Sequence, residues 1–263
     1  MRILLTGGTG GLGRELVRAA EGAGHTVRVA SRRACPADAP PAREWARMDV
    51  ETGDGVRDAL AGVDAVIHAA SDPRRHAVVD VRGTRALADA AREVGTPHLV
   101  YVSIVGIDGI PLAYYRSKRE AERIVEGVGV PHSILRITQF HSLVDAMLAG
   151  FARVPLLFPV PTSFRFQSCA TSEAADRLVR AAEAGPGGRL TDFGGPEVLT
   201  LGEMARAWKA ARGIGRPTLP LPVPGGLAAA FRAGRNTLQA EGGERGTVRW
   251  EDWLRAPSAD AAS

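Results

Sequence analysis

The chain has 263 residues, and its 33 lysines and arginines against 29 aspartates and glutamates give a net charge of +4. Because 31 of those bases are arginines interleaved with acids, as in residues 116–120, they form no basic stripe, and nucleic-acid partners are excluded. The most apolar stretch, residues 151–161, is interrupted by Arg153 and Pro155, so no membrane association is expected. Two cysteines imply no disulfide framework, so a cytoplasmic protein is expected.

Short apolar runs alternate with longer helical runs over the first 138 residues. The predicted strands are residues 3–6, 26–30, 45–50, 65–68, 98–103 and 133–138. The predicted helices are residues 12–21, 55–61, 76–94 and 112–128. Strands that alternate with helices of this length favour βαβ units, so we predict an α/β fold with a doubly wound parallel sheet.

The alternation loosens after residue 139. Helices are predicted at residues 171–184 and 201–212, a strand at residues 189–193, and an unstructured tail from Pro257. We therefore divide the chain into a nucleotide-type core, residues 1–138, and a small C-terminal lobe, residues 139–263. The lobe is expected to bind substrate and to be intertwined with the core.

A glycine-rich turn joins the first predicted strand to the first predicted helix. The segment reads Thr6-Gly7-Gly8-Thr9-Gly10-Gly11-Leu12-Gly13 and contains a Gly-x-Gly-x-x-Gly pattern. In such a turn, glycines permit a sharp bend and a close approach to a pyrophosphate, while the helix N-terminus offers free N–H groups. The position of the pattern between strand and helix favours dinucleotide binding over a flexible loop.

The end of the second predicted strand bears on the choice between NADP and NAD. An NAD site usually has an acidic residue there to bind the ribose hydroxyls, whereas this chain has Ser31, Arg32 and Arg33, and the nearest acid downstream is Asp38. A guanidinium can hold a 2′-phosphate through paired hydrogen bonds. We therefore favour NADP (NADPH) over NAD, with two solvated arginines as the alternative interpretation.

One of the two lysines follows a tyrosine by four residues. Tyr114 and Lys118 share one face of the predicted helix over residues 112–128. Three tyrosines and two lysines make a chance pairing at this spacing rare, and Ser103 lies at the end of the preceding strand. The second lysine, Lys209, is expected at the surface.

The glycine turn and the Tyr–Lys pair together resemble the short-chain dehydrogenase/reductase family, in its atypical NmrA-like and epimerase-like members. The resemblance covers most of residues 1–138 and extends through Asp49-Val50, His68-Ala69-Ala70-Ser71 and Leu99-Val100-Tyr101-Val102-Ser103. It implies an NAD(P)-binding Rossmann fold with Ser103, Tyr114 and Lys118 as the catalytic residues. The cofactor-binding residues that follow from the turn and the resemblance are Thr6, Gly7, Thr9, Gly10, Gly11, Leu12, Gly13, Ser31, Arg32, Arg33, Asp49, Val50, Ala69, Ala70 and Lys118.

The resemblance also implies a role for each member of the catalytic trio. Tyr114 would give its phenolic proton to a carbonyl oxygen, and the ammonium of Lys118 would lower the pKa of that phenol. Lys118 would also hold the nicotinamide ribose, and Ser103 would orient the carbonyl.

The chain departs from the family pattern at several positions. Asp80 stands where the family often has Asn, and Ile104 replaces an expected second serine. The Pro-Gly that usually follows the sixth strand is absent, and Gln139 and His141 there are candidate substrate-binding residues, with a loop amide and a surface imidazole as equal alternatives. The other histidines and the cysteines show no ligand spacing, so no metal is expected.

These features predict an NADPH-dependent oxidoreductase that transfers a hydride to the carbonyl of a small hydrophobic substrate. Two alternatives stay open: an NADP-binding regulatory or sensor protein of the NmrA-like type, and an epimerase or dehydratase that retains its cofactor. The expected partner is a small-molecule substrate, and the expected state is a monomer or a homodimer.

Overall fold

The chain forms two compact units in a computed structural model that describes residues 1–37, 39–40, 43–239 and 242–256. The first unit holds Met1–Ile137 and Thr171–Asp192, and the second holds Thr138–Ala170 and the chain from Phe193 onward. The chain first passes from one unit to the other after Ile137, and the division that we expected at residue 138 stays a prediction. Residues 171–192 then return to the first unit, although their sequence follows the irregular segment. The tail predicted from Pro257 lies outside the described residues.

A parallel sheet forms the centre of the first unit. Its strands, numbered along the whole chain, are β1 (Arg2–Thr6), β2 (Thr26–Ser31), β3 (Glu44–Arg47), β4 (Ala65–His68), β5 (Leu99–Ile104), β6 (His132–Ile137) and β9 (Gly188–Arg189). Their order within this unit is β3-β2-β1-β4-β5-β6-β9, and every pairing is parallel. Strands covered on both faces need apolar side chains in both directions, and all four residues of β4 are accordingly buried.

Helices cover both faces of this sheet. They are α1 (Gly11–Gly22), α2 (Val56–Leu60), α3 (Thr84–Glu93), α4 (Ala113–Gly127) and α6 (Thr171–Glu183). The α1 and α6 helices pack against each other, whereas α3 packs against α2 and α4. Leu4, Val66, Leu87, Tyr101 and Ile134 belong to one buried cluster beneath the second group. The prediction of a doubly wound α/β fold is thereby confirmed.

The predicted helix over residues 76–94 is not a single α-helix. Its first half, Ala77–Gly83, is a π-helix that leads directly into α3. The π-helix is rare and frequently occurs at functional sites. It places Asp80, whose side chain is fully buried, inside the first unit.

The second unit combines short strands with four helices among the described residues. The helices are α5 (His141–Phe151), α7 (Leu201–Ala211), α8 (Gly226–Arg232) and α9 (Trp250–Arg255). The strands are β7 (Phe158–Val160), β8 (Arg165–Phe166), β10 (Phe193–Gly194), β11 (Leu199–Thr200), β12 (Thr218–Pro220) and β13 (Glu244–Arg245). The strand predicted at residues 189–193 is therefore two short strands, β9 and β10, in different units.

The core of the second unit is aromatic. Phe158, Trp208 and Trp250 are buried there, and the rings of Phe158 and Trp208 stack with centroids 5.7 Å apart.

Thr200 caps α7, since its hydroxyl accepts from the Glu203 backbone N–H while the Glu203 carboxylate accepts from the Thr200 N–H. No helix among the described residues combines the length and apolar character that a bilayer crossing requires.

Candidate functional site

The glycine-rich turn connects β1 to α1, as predicted, and two of its glycines cannot carry a side chain. Gly7 has φ +72°, and a Cβ there would lie 2.9 Å from the backbone of Ala69 and Ala70. A Cβ on Gly13 would lie 2.1 Å from the Gly7 carbonyl oxygen, inside van der Waals contact. Gly10 is the N-cap of α1, and no side chain of the described chain caps that helix. The turn therefore brings backbone close to backbone and leaves the first N–H groups of α1 for an anion.

We expect Gly13→Ala to lower the free energy of unfolding by about 1–3 kcal/mol, because the added methyl group meets rigid backbone rather than a movable side chain. It should also weaken nucleotide binding, since the turn must widen to accept the methyl group. Chemical denaturation and titration with NADPH measure the two effects. Gly11→Ala is the matched control, because a Cβ there meets no atom within 4 Å; equal losses in both variants would contradict the packing argument.

A cleft of about 440 Å³ opens beside this turn, within the volume range of small-molecule sites. Eleven of the predicted cofactor-binding residues line it: Thr6, Gly7, Thr9, Gly10, Ser31, Arg32, Arg33, Asp49, Val50, Ala69 and Ala70. Gly11, Leu12 and Gly13 lie instead in the first turn of α1, and Lys118 lies on α4. Six further residues line the cleft and are not among the predicted cofactor-binding residues: Ala30, Met48, Glu51, Ser71, Asp72 and Val79.

Arg32 has an acidic neighbour that the sequence analysis did not anticipate. Glu51, which follows β3, lies 3.3 Å from the guanidinium of Arg32. Arg75 binds the same carboxylate through two hydrogen bonds of 2.8 and 2.6 Å. The Arg32 side chain stays 64% exposed and the Glu51 side chain only 15%. The acid nearest to Arg32 along the chain, Asp38, lies outside the described residues.

A buried polar chain holds the loop that follows β4. The Thr6 hydroxyl hydrogen-bonds to Nδ1 of His68 at 2.6 Å and accepts from the Ala70 N–H at 3.2 Å. Nε2 of His68 hydrogen-bonds to the Thr84 hydroxyl at 2.9 Å. Burial, together with the charge of Lys118, lowers the pKa of His68 to about 3. A neutral imidazole therefore fixes Ala69 and Ala70 against the turn at neutral pH.

Tyr114 and Lys118 are connected to each other through Ser71 and Asp80. The Tyr114 phenol lies 2.7 Å from the Ser71 hydroxyl, which in turn donates to a carboxylate oxygen of Asp80 at 2.6 Å. Lys118 Nζ lies 3.6 Å from the same oxygen and donates to the Val102 carbonyl at 2.7 Å. Tyr114 and Lys118 thus belong to one polar network, which neither the residue spacing nor the resemblance predicted.

Ser103 does not belong to this network. It lies near the end of β5, where the sequence predicted it, but its hydroxyl is buried and faces the Glu122 carboxylate, whose pKa it helps to lower, rather than Tyr114. The hydroxyl that contacts Tyr114 is that of Ser71, in the loop after β4. The catalytic role of Ser103 therefore stays a prediction, and Ser71 is the serine adjacent to the phenol.

The electrostatics around Tyr114 differ from those that the sequence implied. Burial raises the pKa of the Tyr114 phenol above its ordinary value, and the negative charge of Asp80 adds to that rise. Burial lowers the pKa of the Lys118 ammonium, which Asp80 opposes. The phenol's pKa is therefore not lowered towards neutrality as expected, because burial raises it and Asp80 raises it further.

Gln139 and His141 make internal contacts within the second unit. The Gln139 side-chain amide donates to the backbone carbonyl of Asn236 at 3.1 Å, and the Asn236 side-chain amide donates to Gln139 Oε1 at 3.2 Å. Nδ1 of His141 hydrogen-bonds to the Ser168 hydroxyl, and Nε2 to the Val248 carbonyl. Both residues are buried, so His141 is not the surface imidazole that we considered. Their proposed contact with substrate stays a prediction.

The cleft fits a nicotinamide dinucleotide by its own geometry. The backbone cradle at Gly7 and Gly13 admits no side chain, the uncapped N-terminus of α1 suits a pyrophosphate, and the arginines lie at the end of β2. A parallel sheet with a Gly-rich first βα turn defines the class of dinucleotide-binding Rossmann proteins.

Comparison with known proteins gives the family. Residues 7–145 match the NAD(P)H-binding family. The chain belongs to that family, and the resemblance to NmrA-like and epimerase-like short-chain dehydrogenases is confirmed.

Three known proteins illustrate the similarity. Sterol demethylase protein B of Methylococcus capsulatus is 31% identical over 258 residues, covering 84% of this chain and 78% of that protein. The (4-alkanoyl-5-oxo-2,5-dihydrofuran-3-yl)methyl phosphate reductase of Streptomyces griseus is 29% identical over 227 residues, covering 82% of this chain and 74% of that protein. The NADPH complex of the NADPH-dependent quinone oxidoreductase of Escherichia coli superposes with a TM-score of 0.77 at 18% identity, over 96% of this chain and 98% of the other.

Proposed function

We propose that this protein is an NADPH-dependent oxidoreductase of the short-chain dehydrogenase/reductase type, which transfers a hydride to the carbonyl of a small hydrophobic substrate. One observation carries the proposal: Ser71 lines the nucleotide cleft and also hydrogen-bonds to the Tyr114 phenol. Carbonyl reduction requires the protein to place a proton-donating hydroxyl next to the nucleotide cleft. The reductase and the NADPH-dependent oxidoreductase among the similar proteins support the same reaction class.

The proposed role of each residue is the one that the family resemblance implies. When bound, NADPH supplies the hydride. Tyr114 then gives its phenolic proton to the carbonyl oxygen, and Lys118 holds the nicotinamide ribose. The turn residues 7–13 hold the pyrophosphate, and Asp49 and Val50 contact the adenine.

The preference for NADP over NAD rests on Arg32 and Arg33. Glu51 opposes this preference, because a carboxylate beside Arg32 repels a 2′-phosphate. Arg75 donates two shorter hydrogen bonds to the two oxygens of the same carboxylate, so Arg32 is the weaker of the two partners of Glu51 and can turn towards a phosphate. The exposure of the Arg32 side chain is consistent with that role.

We expect Arg32→Ala to raise the dissociation constant for NADPH by about tenfold or more, since one charge-assisted pair with the 2′-phosphate is lost. The dissociation constant for NADH should stay unchanged. Fluorescence titration of the purified protein with both nucleotides measures this difference. An equal loss of affinity for the two nucleotides would contradict recognition of the phosphate by Arg32.

The reaction itself is tested with a panel of small carbonyl compounds, from polar aldehydes to apolar ketones and quinones. We expect the protein to consume NADPH with at least one apolar member and NADH more slowly. Tight NADPH binding without consumption across the panel favours the sensor alternative. Protein that purifies with oxidised cofactor and isomerises a substrate without net redox change favours an epimerase.

The cellular setting belongs to the same proposal. Cys35 and Cys169 are both free thiols, which supports a reducing, cytoplasmic compartment. The proposed partner is a small molecule, and the proposed state is a monomer or a homodimer.

A further inference from the structure

The hydrogen bonds between Tyr114 and Asp80 have a defined direction. Ser71 has one hydroxyl hydrogen, and it donates that hydrogen to the Asp80 carboxylate at 2.6 Å. The 2.7 Å contact between Ser71 and Tyr114 therefore has the phenol as its donor. Donors run from Tyr114 to Ser71 to Asp80, and the phenol oxygen keeps its lone pairs for a hydroxyl of a substrate.

Asp80 is built into the interior of the first unit. Its side chain is fully buried, and it accepts hydrogen bonds from Ser71 and from the Asp72 backbone N–H at 3.2 Å. Lys118, itself only 3% exposed, lies 3.6 Å away. A buried carboxylate is stable only when it is paired and hydrogen-bonded. The Ser71 hydroxyl, the Asp72 N–H and the Lys118 ammonium stabilise the Asp80 carboxylate in this way.

The pairing changes what Lys118 can do for the phenol. An isolated ammonium near a phenol favours the phenolate, whereas an ammonium paired with a carboxylate is electrostatically almost neutral at a distance. Burial then raises the pKa of Tyr114, and the charge of Asp80 adds to the rise. The tyrosine thus stays protonated and must pass its own proton on whenever it takes one from a substrate.

We propose that Asp80 is the terminal proton acceptor of this site and that Ser71 relays the proton between Tyr114 and Asp80; this inference rests on the proposed hydride-transfer function. In alcohol oxidation, the substrate O–H proton passes to the Tyr114 oxygen while the Tyr114 proton passes to Ser71 and the Ser71 proton to Asp80. NADP⁺, when bound, would take the carbon-bound hydrogen as hydride, so that the alcohol becomes a carbonyl, NADP⁺ becomes NADPH and Asp80 becomes protonated. Carbonyl reduction reverses each transfer.

The direction of the hydrogen bonds matches the ionised state of Asp80. Oxidation of an alcohol needs an ionised Asp80, and reduction needs the protonated acid. The titratable groups around the Tyr114 phenol include Asp80 and His76 from the π-helix and its N-cap, Asp72 from the loop after β4, Tyr101 on β5, and Tyr115 and Lys118 on α4. Among them only Asp80 is connected to the phenol by a hydrogen-bonded hydroxyl in the described residues.

The first arm of the test needs no substrate, because it measures the titration of the Tyr114 phenol. Protein labelled with fluorotyrosine has three reporter groups, because the chain has three tyrosines, and Tyr114→Phe assigns one of them in fluorine NMR spectra. Asp80→Asn removes the negative charge and leaves Lys118 uncompensated, so the Tyr114 midpoint should fall by about one pH unit or more. Ser71→Ala removes the hydroxyl that links the phenol to Asp80, so the Tyr114 midpoint should move from its wild-type value in that variant too.

Asp72→Asn is the matched control for this titration. It removes a carboxylate that is also near the phenol but is not connected to it through Ser71. Its effect should be smaller than that of Asp80→Asn. An unchanged midpoint in Asp80→Asn, in protein that keeps its wild-type circular dichroism, would overturn the proposal. So would equal shifts in Asp80→Asn and Asp72→Asn.

The second arm of the test measures turnover in both directions. Ser71→Ala should lower kcat by about 10²-fold, because proton transfer loses its relay, and the KM for NADP(H) should change little. Ser71→Thr keeps a hydroxyl and should restore most of kcat. An unchanged kcat in Ser71→Ala overturns the relay even if the protein is an oxidoreductase. If no substrate in the panel turns over, the proposed function fails, and the titration alone decides whether Ser71 and Asp80 control the phenol.

Discussion

Replacement of Tyr114 by Phe is expected to lower the turnover of NADPH with carbonyl substrates by about 10²–10⁴-fold, because the phenol is the proposed general acid. The dissociation constant for NADPH should stay within about twofold of wild type, since the nucleotide cleft contains no atom of Tyr114. Steady-state kinetics and fluorescence titration measure the two quantities separately.

Tyr115→Phe is the natural control for this experiment. The residue adjoins Tyr114 on α4, is buried, and loses the same oxygen on substitution. It should keep most of the turnover, because the chain of donors begins at Tyr114. Retained turnover in Tyr114→Phe would remove the tyrosine from the mechanism, whatever the outcome for Asp80.

The largest effect on stability is expected at Glu122. Its carboxylate is fully buried and accepts two hydrogen bonds of 2.6 Å from the guanidinium of Arg136, which is also buried. Glu122→Gln removes the buried one of the two carboxylates that pair with this guanidinium, the other being the exposed Asp108, and removal of one partner of a buried pair costs about 3–5 kcal/mol. Urea denaturation at neutral pH measures the loss.

A second glutamate on the same helix provides the comparison. Glu120 pairs with Arg123 at 3.4 Å on the exposed surface, so Glu120→Gln should cost less than about 1 kcal/mol. Similar losses in the two variants would mean that the Glu122–Arg136 pair carries no special stability.

The stability that Glu122 contributes should also depend on pH. Burial alone would raise its pKa, but the hydrogen bonds from Arg136 hold the pKa below the ordinary value of 4.5. Since the folded pKa lies below the unfolded one, the contribution is complete above about pH 4.5 and is lost as the pH falls. The difference between wild type and Glu122→Gln should therefore shrink in acid.

The sequence predicted the sheet of the first unit well because its signals are local. Buried parallel strands appear as short apolar runs, and the Gly-rich turn marks a crossover where backbones approach closely. The pairing of α6 with α1 was not predictable in this way. The amphipathic pattern of α6 shows only that one face is buried, and its partner lies about 150 residues earlier in the chain.

The site shows the same division between local and distant information. Tyr114 and Lys118 were found because their spacing places them on one helical face. Glu51 and Ser71 were missed because their contacts join residues far apart in sequence: Glu51 with Arg32 and Arg75, and Ser71 with Tyr114. Asp80 was noted only as a departure from the family pattern, and its meaning depends on a π-helix that the periodicity did not reveal.

Both lysine side chains donate hydrogen bonds within the fold, and this affects how the protein reacts with amine reagents. Lys118 donates to the Val102 carbonyl inside the first unit, and Lys209, expected at the surface, is half-buried and donates to the Arg216 carbonyl and the Thr218 hydroxyl. Reagents that acylate or crosslink amines normally find many loose lysines on a protein of this size. This chain offers such reagents two lysine side chains, and the ammonium groups of both already donate hydrogen bonds to oxygen atoms. The extent of lysine modification would therefore report on the opening of the fold rather than on its surface.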